Sequence, residues 1–203
     1  MKTAKNVIVL TLITVLAGFL LGYVYDITKG PIADATEKAK QEAYKSVFSS
    51  ANSFEMVQGF DSDIATSGIN SAGIKAVTID EALLAKDASG NVLGYVITVT
   101  SSEGYGGDVK LSMGVTNEGK IGGIEFLSLS ETAGLGMKAD TDEFKSQFSG
   151  MQAKQISYTK TGKQNDYEID AISGATITTS AVTNAVNAGL SYFDAIAGGD
   201  SNE

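Results

Sequence analysis

The densest run of reactive groups in the chain is Asp170 to Ser180, DAISGATITTS, where Ser173, Thr176, Thr178, Thr179 and Ser180 cluster around Gly174 and Ala175. The pattern is that of a strand end entering a small-residue loop and then a helix. Gly174 and Ala175 leave room for a ligand to approach the backbone, and the free N–H groups and positive end of the following helix favour an anion such as a phosphate. The same residue types also cap helices, where a hydroxyl accepts from first-turn donors and binds nothing else. The residues alone leave both uses open. In either case Thr178 to Ser180 are placed to cap the first helical turn, while Thr176 follows the two small residues directly.

What is missing limits the chemistry further. The chain has no His, Cys or Trp, and all 15 of its basic residues are Lys. That excludes Ser-His-Asp and Cys-His catalysis, the usual zinc sites, His- or Cys-ligated haem and Cys-held iron–sulfur clusters, so redox work would need an organic cofactor. Residues 26–203 hold 13 Lys against 24 Asp and Glu, a balance that argues against nucleic acid as a partner. A hydrophobic content of 43% with 23 Gly and one Pro fits a folded chain with many tight turns.

The segment DAISGAT resembles the Asp-x-x-Ser-Gly-Ala-Thr motif of FMN-binding domains that a dedicated flavin transferase modifies. The resemblance implies that Thr176 is joined to FMN by a phosphoester: its hydroxyl attacks the diphosphate of FAD, AMP leaves, and FMN stays on the protein. It also implies that Asp170 belongs to the segment the transferase recognises, with Ser173, Gly174 and Ala175 shaping the phosphate loop. A second stretch, SETAGLG from Ser130 to Gly136, is similar to the Glu-Thr-Pro-Gly-Leu-Gly loop that lines the flavin in that family. Glu131, Thr132, Leu135 and Gly136 are thereby candidates for contacts to the ring system or ribityl chain. This chain departs from the pattern at Ala133, where Pro is usual, and at Leu129, where Rnf members often carry His, so no imidazole is present to tune the flavin. A third stretch, GYGGDVKLSMGV from Gly104, resembles the family too and makes Tyr105 a candidate to flank the cofactor or to cap a strand at its rim.

Together these stretches resemble the G subunits of Rnf-type electron transport complexes, with the C subunits of sodium-translocating NADH:quinone reductases as a related family. The resemblance implies an electron carrier in a membrane complex that couples ferredoxin and NAD to sodium or proton movement, with the other subunits as partners. Alternatives are the corresponding flavin subunit of the quinone reductase, or a membrane-tethered anion-binding module without redox chemistry. No GxGxxG turn or hydride-donor pocket is evident, so a relay fits better than an enzyme acting alone.

The elements that must position these residues form an α+β domain. Alternation predicts an antiparallel meander over 81–86, 92–100, 108–115 and 120–127, broken by the turn clusters DASGN, EGYGG and TNEG. Asp140 and Glu143 have capping-box spacing ahead of Phe144 and Phe148, residues 167–169 read as a last short strand, and Val182, Val186, Leu190, Phe193 and Ile196 mark a C-terminal helix on the sheet. Residues 49–73 read as loop and irregular pieces.

Ahead of the domain, Val7 to Val24 is an uncharged run long enough to cross most of a bilayer core. Lys2 and Lys5 precede it, Asp26 follows, and Tyr23 and Tyr25 stand where an interfacial belt would be. This predicts a cytoplasmic N-terminus and a retained single span of the cell membrane within residues 1–30, a juxtamembrane helix over 31–48 starting at Pro31, and an extracytoplasmic domain over 49–203. A cleaved signal peptide fits less well, because no small-x-small site closely follows the run. Protease added to intact cells or spheroplasts is expected to remove the domain; release of a soluble protein with a new N-terminus beyond Tyr25 would contradict the anchor.

Overall fold

The computed structural model describes residues 2–71 and 73–199. The chain divides into two units between Gln41 and Glu42.

The first unit is the greater part of helix α1, Lys2–Val47. This helix holds an 18-residue window of mean hydropathy 2.5, none of it buried against the protein, so by length and composition it can cross a membrane. Its polar interruptions are satisfied locally: the Thr11 hydroxyl donates to the Val7 carbonyl at 2.9 Å and that of Thr14 to the Leu10 carbonyl at 3.1 Å. Pro31 lies inside α1, not at the first position of a separate helix as its type suggested. The ring removes one backbone bond to Ile27, and exposed surroundings leave that carbonyl open to solvent.

The second unit is built on an antiparallel sheet of β1 Ser53–Met56, β2 Val77–Lys86, β3 Val92–Ser101, β4 Val109–Thr116 and β5 Ile121–Leu129, in that order. Alternation assigns its faces. Ile97, Val99, Val109, Leu111, Met113 and Val115 belong to the main core, where they meet helix α4, Thr176–Gly199, through Val182, Val186 and Leu190. Gly189 gives α4 its close approach, because a Cβ there would overlap Met113 Sδ. The other face is closed as well. Tyr44 and Val47 from the end of α1, with Phe48 just beyond it, cluster with Leu83, Ala85 and Val96. Beneath them the strands are paved with glycine: a Cβ on Gly114 or Gly122 would stand 2.5 or 2.6 Å from the Val47 carbonyl. Ser112 therefore faces protein and not water, and bonds Thr98 at 2.9 Å.

The meander expected from sequence is present, with differences that have local causes. β2 starts at Val77, four residues earlier than alternation indicated, because a register shift between Ile79 and Glu81 breaks the period there. The stretch 49–73, expected to be irregular, contains β1 and α2, Ser62–Ser71. Asp61 Oδ1 accepts from the N–H groups of Asp63 and Ile64, Ser62 and Thr66 bond the backbone of Ile79, and Ala65 and Ile69 are buried. A helix of ten residues with two apolar contacts has little periodicity to read.

A 3-10 turn, Gly136–Asp140, leads into the short helix α3, Asp142–Lys145, whose cap is Thr141 and not Asp140. Asp140 is engaged elsewhere: Lys145 Nζ lies 3.1 Å from its Oδ1 and 2.8 Å from Glu125 Oε1. Burial works against the Lys145 charge, but the two carboxylates outweigh it and raise its pKa above the usual lysine value. Phe144 and Phe148 are both buried and meet edge to face. β7, Glu168–Asp170, pairs in parallel with β6, Ser157–Thr159, a strand that three residues could not announce.

The glycine paving generates a test. Gly114→Val would push two branches into the Val47 carbonyl and the Phe48 ring, so a loss of about 1–3 kcal/mol is expected. Thermal unfolding of the purified chain in detergent should register it as a lowered Tm, and an unchanged Tm would mean that the end of α1 does not bear on this face.

Candidate functional site

The site forms where the β3–β4 connection, the end of β5 and the start of α4 converge. In the AISGAT loop, the Ala175 N–H donates to the Ile172 carbonyl at 3.0 Å, closing a turn in which Gly174 has φ +77. That left-handed value costs an L-residue with a side chain on the order of 1–2 kcal/mol, and a Cβ would in addition meet Leu135 Cδ2 at 3.1 Å. Both ends of the turn are tied to one hydroxyl. Thr179 Oγ1 accepts from the Ile172 N–H at 3.1 Å and donates to the Ala175 carbonyl at 2.9 Å. It braces the loop from behind and does not cap first-turn donors as its position suggested.

Helix α4 therefore begins at Thr176 itself, one residue after the buried Ala175. First-turn N–H groups have no partner within their helix. Among the described residues no side chain accepts from those of Thr176, Ile177 or Thr178. Thr176 is half-buried and lines the cleft described below, whereas Thr178 and Thr179 are buried and Ser173 and Ser180 lie outside its lining.

The SETAGLG loop turns on Gly134, φ +75, with the Thr132 carbonyl accepting from the N–H groups of Leu135 and Met137. Glu131 folds back across it. Its Oε1 accepts from the Tyr105 N–H at 2.8 Å, and a Cβ on Gly136 would stand 2.7 Å from its Oε2 and 2.6 Å from Thr178 Oγ1. Gly136 is the point where the two loops and α4 meet without a side chain between them.

Between these loops lies a cleft of about 510 Å³ lined by Tyr105, Glu131, Thr132, Leu135, Gly136, Gly174, Ala175, Thr176, Ile177 and Thr178. The structure thus brings together eight of the ten residues expected from sequence. Ser173 and Asp170 line a different hollow of about 320 Å³ with Lys138, Thr141 and Gln147. There the Gln147 side chain accepts from the Asp170 N–H at 2.6 Å, and Asp170 Oδ1 accepts from the Lys163 N–H at 2.6 Å. Two lining residues had no cofactor-binding role assigned from sequence. Ile177 stands off the Val182–Val186–Leu190 stripe and is 52% exposed; an apolar residue among hydroxyls was the available signal. Thr178, expected as a cap, faces Gly136.

The cleft's chemistry is asymmetric. Tyr105, 70% exposed, with Leu135 and Ile177 gives it an apolar rim. The α4 N-terminus and Thr176 line the same cleft. No lining residue is cationic, and Glu131 is the one carboxylate. A flat, largely apolar group with a phosphate tail fits this arrangement: the rim would take the group, and the helix start the phosphate.

Fold and cleft define a small α+β cofactor domain that follows an apolar helix in the sequence, and residues 104–191 match the model of the FMN-binding domain family. The chain is 32% identical to the G subunit of the ion-translocating oxidoreductase complex of Methanosarcina acetivorans over 195 residues, 96% of each chain. It is 31% identical to the G subunit of the Na(+)-translocating ferredoxin:NAD(+) oxidoreductase complex of Acetobacterium woodii, over 92% of this chain and 89% of that one. The crystal structure of Shewanella oneidensis NqrC superposes with a TM-score of 0.51 over 62% of each chain at 19% identity, a likeness of fold. The chain belongs to the family of G subunits of ion-translocating oxidoreductase complexes.

Gly136→Ala is expected to pry the Glu131 loop from Thr178 and to cost about 1–3 kcal/mol, with a fall in flavin content. Gly134→Ala meets no atom within 4 Å and strains only φ, so it should lower stability while leaving the cleft able to load. Equal flavin loss in the two variants, measured by absorbance per protein, would contradict the packing role of Gly136.

Proposed function

We propose that this chain is the flavin-carrying electron relay of an ion-translocating ferredoxin:NAD oxidoreductase complex, holding FMN covalently on Thr176. The observation that carries the reading is Thr176, half-buried at the first residue of α4, beside a cleft whose lining contains no cation. A free flavin phosphate would be held there by helix N–H groups alone, opposite a carboxylate, and would dissociate readily. A phosphoester supplies the permanence that charge does not. It also lowers the anionic charge of the phosphate to a level the helix end can satisfy.

FMN, when bound, supplies reversible electron transfer. The residues of the chain hold and orient it. Thr176 takes the phosphate, Gly174 and Ala175 keep the approach open, and Tyr105, Leu135 and Ile177 offer apolar surface to the ring. Glu131 keeps the Tyr105 segment against the SETAGLG loop. Asp170 and Ser173 face away from the cleft, which suits recognition by a flavin transferase while the cleft is being loaded. The apolar helix anchors the domain outside the cytoplasm, with the other subunits of the complex as its electron-exchange partners.

Thr176→Ala should give a folded, membrane-bound protein with a stability loss of at most about 1 kcal/mol and no covalent flavin. Thr178→Ala and Thr179→Ser should retain it, Thr179→Ser because the hydroxyl that braces Ile172 and Ala175 is kept. In-gel fluorescence after denaturation reads the outcome; covalent flavin persisting in Thr176→Ala would overturn the assignment.

A further inference from the structure

The segment 102–108 between β3 and β4 presents Tyr105 to the cleft, yet the Tyr105 side chain is 70% exposed and has little packing of its own to fix it. Its place depends on its backbone. The loop is closely packed at its glycines: a Cβ on Gly104 would overlap the Gly107 carbonyl, and one on Gly106 the Ser130 carbonyl. Glu131 Oε1 holds the Tyr105 N–H at 2.8 Å. On the opposite side, Glu103 Oε2 accepts from Asn184 Nδ2 at 2.6 Å in a partly buried bond spanning 81 positions of sequence. Asn184 belongs to α4, whose first residue is Thr176, so at 1.5 Å per residue it lies about 12 Å along the same helix. Neither Asn184 nor Glu103 lines the cleft.

We propose that Glu103 and Asn184 are a positioning pair that ties the Tyr105 segment to the helix carrying the attachment residue, and thereby fixes the phenol against the flavin ring. This rests on the cleft being the covalent FMN site. The physical case is one of shared reference. The phosphate end of the cofactor is fixed by the first residue of α4, and its ring end is flanked by a loop residue. A link from that loop to the same helix keeps the distance between the two ends constant. Glu131 alone fixes the loop to another loop. A partly buried amide-to-carboxylate bond is short and directional, and its loss would let the segment hinge about the Glu131 contact.

The readout is flavin emission, which a phenol in contact with the ring quenches. Holoprotein made alongside the transferase, with covalent flavin verified on a denaturing gel, is compared by fluorescence lifetime and by midpoint potential, per bound flavin. Asn184→Leu and, on the loop side, Glu103→Leu should each lengthen the lifetime and shift the potential toward the values of Tyr105→Leu. Glu103→Gln, which keeps an acceptor oxygen, should stay near wild type. In the Tyr105→Leu background, Asn184→Leu should add nothing. A lifetime and potential unchanged by both Asn184→Leu and Glu103→Leu would overturn the proposal, as would an equal effect without Tyr105. Wild-type protein lacking covalent flavin would instead defeat the cofactor reading itself.

Discussion

The Thr179 hydroxyl accepts from one end of the Ile172–Ala175 turn and donates to the other, and the site depends on that pair of bonds. With both bonds made, Gly174 is held in its left-handed conformation and α4 starts at Thr176. Each buried bond contributes on the order of 0.5–1.5 kcal/mol net, but the geometric effect is larger than the energetic one. Without the brace the Ile172–Ala175 turn would be free to relax, and Thr176 would no longer be held as the first residue of the helix. The reactive position is set by a neighbouring hydroxyl that does no chemistry.

The brace works because α4 cannot shift. Ala181, Val182, Ala185, Val186 and Ala188 are fully buried, and Gly189 rests on Met113 of β4. The opposite face of that strand is closed by the end of α1 over glycine. A sheet sealed on both faces offers a ligand its ends and edges, and the cleft lies at one such end. At that end the glycines do different jobs. Gly134 and Gly174 supply positive φ, whereas Gly104, Gly106 and Gly136 are small because backbone or carboxylate already occupies the space.

The cleft was largely legible in the sequence because its residues lie in two short contiguous motifs and one turn, each carrying its own glycines. Through their resemblance to the FMN-binding family, Tyr105, Glu131, Leu135 and Thr176 could be gathered without knowing how the strands pair. What could not be read is how the side chains are spent. Glu131, a candidate for ring contact, has its carboxylate committed to the Tyr105 N–H, a bond across 26 positions. Ser173 stands one residue from Gly174 yet turns to the other hollow, because the left-handed glycine reverses the chain between them. The Asn184–Glu103 bond has no local signature at all. In the fold, period-two strands were visible, while β6, β1 and α2 were too short or too weakly apolar to stand out. Spacing alone points to Asp140 as a cap, because its ion pair with Lys145 leaves no mark in the local pattern.

Electrostatics gives the covalent reading its force. The domain is acidic, has no Arg, and places no cation among the cleft-lining residues, so an anionic cofactor has a helix end and a nucleophile to rely on. Peptide mass mapping of wild-type holoprotein made with a flavin transferase tests this most directly. The account predicts one FMN adduct on the peptide containing residues 170–180, with fragment ions locating it on Thr176. An adduct on Ser173 or Thr178, or flavin that leaves entirely on denaturation, would contradict it.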